Sequence, residues 1–349
     1  MIAFYAGILI LCLWKISFSK KSFFNDFLQR DQCDSIKGIF ILLVFVRHIL
    51  QYIIGSGYDF SAMPDQLFLK IDRELDQLIV VMFLFYSGYG IMESIFKKKA
   101  DYVKSMPLKR ILPTILNFDI AVLAFFILNL FIGREMTVSE VLLSFTGWDS
   151  IGNSNWYIFV IVVCYAIVWL SFFVTSKAQA LNPQRALVFA SFLFIIALIT
   201  LALTKKEWWY NTILAFDAGL LFSYYKEKIV PTLQKKYGIL FVLSTIAFTG
   251  LHLLHNRIPS PLFNLECIIF ALCVILITMK VKIKNPALLW LGEHLFPLYI
   301  YQRLAMKALS RIDDGAFVKN NPLIYMLICC AIMILIAIPY RFFRISFNK

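Results

Sequence analysis

The chain has 349 residues, of which 60% are apolar and only 16% charged, with a formal net charge of +13. A soluble domain carries about 45–50% apolar residues, so this composition indicates an integral membrane protein and leaves no room for a separate soluble domain. Basic loops on the cytoplasmic side of a membrane explain the positive charge, and without a basic, aromatic soluble module nucleic acid is excluded as a partner.

Cysteine usage indicates neither metal nor disulfide chemistry. The seven cysteines lie mostly inside apolar runs, and no two have the Cys-x-x-Cys spacing of a zinc site or redox motif. They are Cys12, Cys33, Cys164, Cys267, Cys273, Cys329 and Cys330. We therefore predict no bound metal and no disulfide framework.

Eleven apolar segments are long enough, or nearly so, to cross a bilayer, which takes about 20 helical residues. They cover residues 1–18, 36–54, 78–96, 111–133, 156–174, 186–203, 210–225, 238–254, 262–279, 286–304 and 322–340. The first segment has no basic region before it and no clear cleavage site, so we expect a retained helix and not a signal peptide. The pattern predicts an all-α integral membrane protein with about eleven transmembrane helices in the cell membrane.

The lysines and arginines of the loops favour one orientation of these spans. With the N-terminus outside, 22 basic residues fall on the inner side and 10 on the outer side, while Lys37 and Arg47 belong to the second span. Because basic residues are enriched in cytoplasmic loops, we predict an outer N-terminus and a cytosolic C-terminus. Lys37 then lies at the cytosolic mouth of its span, and His48 lies in the outer half of the membrane.

The second span carries the most informative pair of ionisable residues. Lys37 and His48 are eleven residues apart, which is roughly 1100° of helical rotation and roughly 16 Å of rise, so they lie on nearly one face. Ionisable groups at this depth are costly and are functional hypotheses by default. His48 therefore either takes part in chemistry or hydrogen-bonds to a neighbouring helix. Arg47 is expected to face a cavity or to snorkel outward.

A lone histidine, without a serine nucleophile motif, metal-ligand spacing or a glycine-rich phosphate loop, suggests a general base. A neutral imidazole can take a proton from an alcohol while that alcohol attacks an activated acyl group. Asp119 and Asp217 are carboxylates within or near spans that could orient such a base. The predicted topology places Asp119 in the cytosolic half, which argues against direct contact with His48. The basic loop 97–110 faces the cytosol, where it either meets an anionic phosphate-bearing donor or only signals topology.

Five segments in order resemble acyltransferase family 3, the multi-span membrane acyltransferases. DSIKGIFILLVFVRHI resembles the opening signature, with Asp34, Gly38 and His48 matching and Lys37 in place of the arginine. The others are FLFYSGYGI at 83–91, LKRILP at 108–113, NSNWYIFVIVVCY at 153–165 and LGEHLFPLYIYQ at 291–302. In the last segment, Leu295 and Gln302 stand where the family has serine and histidine. The resemblance implies a membrane acyltransferase domain of about ten helices over 34–343, with 1–18 as an additional N-terminal transmembrane helix.

The resemblance implies that acyl groups, commonly acetyl from cytosolic acetyl-CoA, are transferred to hydroxyls of surface polysaccharides or lipid-linked glycans. His48 would then be the catalytic base, and Lys37, Lys109 and Arg110 would contact the acyl-CoA donor. Lysine keeps the charge of the usual arginine but lacks its bidentate fork. Further polar or aromatic residues that could support the site are Asp34, Asp119, Asn155, Trp156 and Tyr299. No cofactor is expected beyond acyl-CoA as a co-substrate.

Two alternatives come from other functional classes. Polar residues in spans could line the pathway of a transporter or flippase for a lipid-linked glycan, although the internal repeats common in such proteins are not evident in this sequence. The family core could also have lost activity and serve as a scaffold, given the replacements at Lys37, Leu295 and Gln302. Turnover of an acyl donor separates the enzyme from both alternatives.

Overall fold

The computed structural model describes residues 1–175, 181–254 and 262–347 of the chain. Three basic residues that entered the prediction of orientation, Lys177, Arg257 and Lys349, lie outside the described residues. Each of the eleven predicted apolar segments contains at least one helix.

Seventeen α-helices are present in the described ranges. They are α1 (Ile2–Leu13), α2 (Arg30–Gly55), α3 (Met63–Leu75), α4 (Leu78–Met106), α5 (Leu112–Phe131), α6 (Val138–Phe145), α7 (Trp156–Thr175), α8 (Pro183–Thr204), α9 (Leu214–Tyr224), α10 (Lys226–Lys235), α11 (Tyr237–Leu254), α12 (Phe263–Lys280), α13 (Pro286–Glu293), α14 (Leu295–Leu309), α15 (Ala316–Asn320), α16 (Pro322–Ala337) and α17 (Tyr340–Phe343). A π-helical turn over Pro107–Ile111 joins α4 to α5. Two short strands, β1 (Ile16–Phe18) and β2 (Val281–Ile283), pair with each other.

The predicted class, an all-α integral membrane protein, is confirmed by this architecture. Within the described ranges, six helical stretches are long and apolar enough to cross a membrane. They become seven if the bent pair Ile312–Asn320 and Pro322–Ala337 counts as one span. One of the six, Met63–Phe131, contains the predicted segment 78–96 and all but the last two residues of the predicted segment 111–133. The count of eleven and the orientation stay predictions.

Three predicted segments differ from simple spanning helices. The segment 1–18 forms a 12-residue helix that is followed by β1. The segment 210–225 contains only the 11-residue α9. The segment 286–304 is broken at His294, where α13 ends and α14 begins. Pro297 lies in the first turn of α14, where a residue without an amide hydrogen is tolerated and the helix before it is stopped.

Helix α2 lies at the centre of the molecule. Sixteen of its 26 residues are buried, including Asp34 and His48. By contrast, Ser244 is the single buried residue of α11 in the described ranges, and that helix exposes Ile239, Val242 and Ile246. An apolar helix with so little burial is expected to face lipid. The chemistry-bearing side chains of α2 are therefore enclosed by other helices.

Two glycines allow α13 to pack directly on α2. A Cβ atom built on Gly38 would lie 2.0 Å from the carbonyl oxygen of Leu288, and one on Gly292 would lie 1.7 Å from the carbonyl oxygen of Asp34. Any side chain at either position would collide with backbone, which cannot move aside as a side chain can. Small residues permit such close approach of helices in membranes. The glycines of the first and last family-like segments thus fix the stretch that holds Asp34 and Lys37.

A second pair of glycines brings α4 and α9 together in the same way. A Cβ on Gly88 would lie 2.1 Å from the carbonyl oxygen of Phe216, and one on Gly219 would lie 2.1 Å from that of Phe85. Gly88 belongs to the segment FLFYSGYGI, so its role there is close helix packing. This contact fixes the face of α4 that carries Tyr86 and Tyr89.

The two short strands tie the N-terminal region to the loop that follows α12. They are antiparallel, and Ile16 is paired with Ile283. Backbone bonds from Ser19 to Lys280 and from Phe24 to Met279 continue the contact, and Lys282 pairs with Asp26. Residues 19–29, which we call the N-terminal strap, are therefore held against one end of the helix bundle.

Candidate functional site

A cavity of about 1160 Å³ opens at the end of the bundle where the N-terminal strap lies. Ligand sites in proteins usually have about 300–1,000 Å³, so this one is large enough for a sizeable ligand. Exposed residues from several elements mark its mouth: Asn25, Gln29, Arg30, Arg110, Glu227 and Glu293. Buried residues mark its inner end: Phe83, Tyr86, Tyr157 and Tyr299. The cavity therefore runs from the surface into the middle of the helices.

Acidic and basic residues both line the cavity, and most but not all of the basic residues are paired with an acid. Lys37 forms an ion pair with Asp34 at 2.5 Å, and Arg30 reaches the same carboxylate at 3.3 Å. Lys226 pairs with Glu93 at 2.8 Å. Arg110 forms no ion pair with any residue that the structure describes. The guanidinium of Arg110 is thus a charge available to an anionic ligand in the cavity.

The inner end of the cavity is built from aromatic rings. Tyr157 and Tyr299 have ring centroids 5.1 Å apart, and Phe83 packs edge-on against Tyr157 at 6.0 Å. The hydroxyls of Tyr299 and Tyr86 are buried and have no hydrogen-bond partner within the described ranges. Unpartnered buried hydroxyls are costly, so they indicate groups that await a ligand.

His48 lies directly behind this aromatic wall. It does not line the cavity itself, but its ring centroid is 6.0 Å from that of Tyr299, which does. The histidine is 7% exposed, and its Nδ1 has no hydrogen-bond partner in the part of the chain that the structure describes. Asp217 instead accepts a hydrogen bond from Ser191 at 3.1 Å. Neither Asp119 nor Asp217 therefore orients the imidazole in this structure.

The structure brings together about half of the residues that the sequence singled out. Asp34, Lys37, Arg110 and Tyr299 line one cavity, and His48 contacts the last of these. The cavity thus extends from Lys37 to Tyr299, and the ring of Tyr299 contacts His48. The arrangement joins a charged mouth to a buried imidazole.

Four predicted residues lie elsewhere. Asn155 donates to the carbonyls of Gly147 and Asp149, at 2.9 and 3.0 Å, and so holds the loop before α7. Trp156, Lys109 and Asp119 are not among the residues that line the cavity. Trp156 packs on its neighbour's ring in α7, and Lys109 is exposed beside Arg110. Their predicted roles in the site have no geometric support.

Several residues of the site were missed at the level of sequence. Tyr86, Tyr89 and Glu93 follow each other at spacings of three and four, which places them on one face of α4 toward the cavity. This spacing in the sequence could have indicated that the three side chains share one face of a helix. Lys226 and Arg30 gave no signal, because each belongs to a basic loop that topology alone explains.

These features define a polytopic helical membrane protein in which a cavity with charged residues at its mouth leads to a buried histidine. A family model described as an acyltransferase domain, acyltransferase family 3, matches residues 30–341. Because the match covers nearly the whole chain, the chain belongs to this family and is a multi-pass membrane acyltransferase. No curated protein and no solved structure gives a significant match to the chain.

Proposed function

We propose that this membrane acyltransferase transfers acetyl from cytosolic acetyl-CoA to a hydroxyl of a cell-surface polysaccharide or lipid-linked glycan. The observation that carries the proposal is the cavity that connects Lys37 and Arg110 with Tyr299 and, behind it, His48. A charged mouth suits a phosphate-rich donor, and a buried imidazole at the far end suits a general base. Membership of the family supports acyl transfer as the reaction.

The donor binds with its phosphates at the mouth of the cavity. Arg110 has no counter-ion within the described ranges, and Lys37 shares Asp34 with Arg30, so two positive charges can turn toward phosphate oxygens. The pantetheine arm then extends between Tyr89 and Tyr157 toward the inner end. Lys109, exposed beside Arg110, adds positive charge outside the cavity.

The reaction is a direct exchange of a thioester for an ester. A ring nitrogen of His48 takes the proton of the acceptor hydroxyl while the hydroxyl oxygen attacks the thioester carbonyl carbon. The C–O bond forms, the C–S bond breaks, and the proton passes from the imidazole to the departing thiolate of CoA. Tyr299, with its unpartnered hydroxyl, donates a hydrogen bond to the carbonyl oxygen as negative charge develops there.

The test uses the full chain in lipid nanodiscs with radiolabelled acetyl-CoA and extracted cell-envelope glycans. Release of free CoA and transfer of label are followed for the wild type and for His48→Ala. We expect His48→Ala to lose transfer by about 10²–10⁴-fold, the usual contribution of a general base. The matched control is His294→Ala, because His294 lies at the break between α13 and α14 and does not line the cavity.

Two outcomes would contradict the proposal in different ways. Transfer by His48→Ala at the wild-type rate would remove the histidine as the base and leave the reaction class intact. No release of CoA from acetyl-CoA or from longer acyl-CoA donors, with folded protein and glycans present, would contradict acyl-CoA-dependent transfer itself.

A further inference from the structure

Beyond His48 on α2 and beyond Tyr299 on α14 lies a group of basic residues, of which only some are paired with acids in the described ranges. Arg303 is one helical turn beyond Tyr299 on α14, and it is one of the two positive charges that act on His48. The other, Arg47, is paired with both Asp72 and Asp76. Arg303 forms no ion pair in the described ranges, and its Nε is buried without a hydrogen-bond partner.

Aromatic packing holds the guanidinium of Arg303 in place. Its central carbon lies 5.6 Å from the centroid of the Tyr52 ring, and Tyr52 is one turn beyond His48 on α2. A guanidinium stacked on a ring keeps its planar fork free for a carboxylate or phosphate. Arg303 is therefore preorganised and lacks only the anion.

Lys307, one turn further along α14, adds a buried cation near the half-buried Arg303. It is 7% exposed, and its ammonium donates to the carbonyl of Ile151 at 2.8 Å. The charges that act on it are Arg134, Arg303, Arg311 and Glu140. Glu140 is already paired with Arg134. Arg303, Lys307 and Arg311 are therefore left without an acidic partner in the part of the chain that the structure describes. Lys307 lies beyond the predicted span 286–304, and burial with these like charges lowers its pKa to about 8.

Buried and half-buried cations without acids are costly, and a bound anion lowers the cost. The donor phosphates are accounted for at the other end of α2, roughly 16 Å from His48 along the helix axis. The group beyond His48 therefore serves the other substrate. We propose that Arg303 and Lys307 form an anion site for the acceptor, so that the acetylated glycan carries a carboxylate or phosphate near the reacting hydroxyl. This inference rests on the proposed acyl transfer and names the class of its acceptor.

The first test measures the anion site without any turnover. Wild-type protein in nanodiscs of phosphatidylcholine is treated with phenylglyoxal, and modification of Arg303 is quantified by peptide mass spectrometry. The added probes are p-nitrophenyl glucuronide, p-nitrophenyl glucoside 6-phosphate and the neutral p-nitrophenyl glucoside. We expect the charged probes to slow modification of Arg303 by at least about threefold, whereas the neutral glucoside leaves it unchanged. Equal rates with all three probes would overturn the site.

The second test measures acetyl transfer to the same three probes. In the wild type we expect kcat/KM for at least one charged probe to exceed that for the glucoside by about 10- to 100-fold. Arg303→Met should remove this preference and keep transfer to the glucoside, and Arg303→Lys should retain part of it. The control is Arg73→Met, which removes an exposed basic residue of the outer helix α3.

The two tests separate the anion site from the proposed reaction. Protection of Arg303 without transfer would support the anion site and count against acetyl transfer to these hydroxyls. Transfer without any preference for charge would support the reaction and overturn the anion site. An equal loss of kcat for all three probes in Arg303→Met would also overturn it, because the arginine would then act on the transition state and not on the acceptor. The two charged probes distinguish a carboxylate from a phosphate.

Discussion

Lys37, which lines the cavity, stands where the family-like signature has an arginine. Its ammonium is held by Asp34, and that carboxylate is shared with Arg30. A lysine presents one point charge, whereas an arginine would present two parallel donors to a phosphate. Arg110 also lines the cavity, and its guanidinium has no counter-ion in the described ranges. Under the proposed function, Arg110 supplies the forked donor that Lys37 lacks.

We predict that Lys37→Met raises KM for acetyl-CoA by about 10- to 100-fold, because one charge-assisted contact to phosphate is lost. Lys37→Arg should lower KM or leave it unchanged, since the fork can bind two oxygens at once. Steady-state kinetics with acetyl-CoA in nanodiscs measure both variants. Lys228→Met, which removes an exposed lysine of α10 outside the cavity, should change neither constant. An unchanged KM in Lys37→Met would show that the lysine does not contact the donor.

At the scale of elements, the shape of the cavity depends on how closely α2 and α13 approach. Gly292 packs against the carbonyl of Asp34, and Asp34 is the ion-pair partner of Lys37. The close packing of the two helices therefore also determines the position of that ion pair. The strap is the second element that shapes the cavity. Phe27 and Gln29 line its mouth, although they precede the region 30–341 that the family shares.

We predict that Gly292→Ala destabilises the protein by about 1–3 kcal/mol or more, because the added methyl group collides with backbone. Thermal unfolding in nanodiscs measures the loss as a lower Tm. Gly250→Ala on the lipid-facing α11 is the control, since a Cβ there meets nothing within 4 Å. In that exposed helix, alanine should be neutral or slightly stabilising. Equal Tm values for the two variants would contradict the close packing of α13 on α2.

We predict that Phe27→Ala raises KM for acetyl-CoA about 3- to 10-fold, which corresponds to about 0.6–1.4 kcal/mol of lost contact at the mouth. The rate constant kcat should stay near the wild-type value, because Phe27 belongs to the strap, whereas His48 lies behind Tyr299 at the inner end of the cavity. Phe18→Ala is the matched control, since Phe18 is 67% exposed on β1 and does not line the cavity. A fall in kcat with unchanged KM would mean that the strap does not bind the donor.

At the scale of the whole molecule, contacts between distant loops agree with one assignment of sides. Lys205 donates to the carbonyl of Trp148, and both are predicted outside. Lys226 and Glu93, both predicted inside, form an ion pair. The two strands join residues 16–18 and 281–283, which are also predicted on the inner side. Regions that the basic-residue count places together are thus in contact.

We predict that Ser61→Cys is labelled by a membrane-impermeant maleimide in intact cells, whereas Ser22→Cys is labelled only after permeabilisation. Ser61 and Ser22 are both exposed, so accessibility from each side of the membrane decides the result. Peptide mass spectrometry identifies the labelled site apart from the seven native cysteines. The reverse pattern would invert the predicted orientation.

The sequence was sufficient for the helices because apolar runs determine them almost alone. It drew attention to Lys37 and His48 because ionisable groups in a membrane are costly, and their roles stay predictions. It did not predict the break at His294 within 286–304, because the length of the apolar run favoured one span, although Gly292, Glu293 and Pro297 are residues near which a helix can end. It also could not place Tyr157 or Arg303. Their roles arise from tertiary neighbours, Tyr299 in one case and Tyr52 in the other, which no local spacing encodes.

The pairing of β1 with β2 has a consequence for the order of assembly during synthesis. Ile16 cannot meet Ile283 until some 267 further residues have left the ribosome, which takes roughly 13 to 53 s at about 5–20 residues per second. Through that interval β1 has no β2 to pair with, and the strap lacks its contacts with residues 279–282, so the cavity mouth lacks one wall. The cavity is therefore completed late in biogenesis, after most of the helices around it have been made, and a nascent chain cannot bind a ligand in a finished site while the bundle is still assembling.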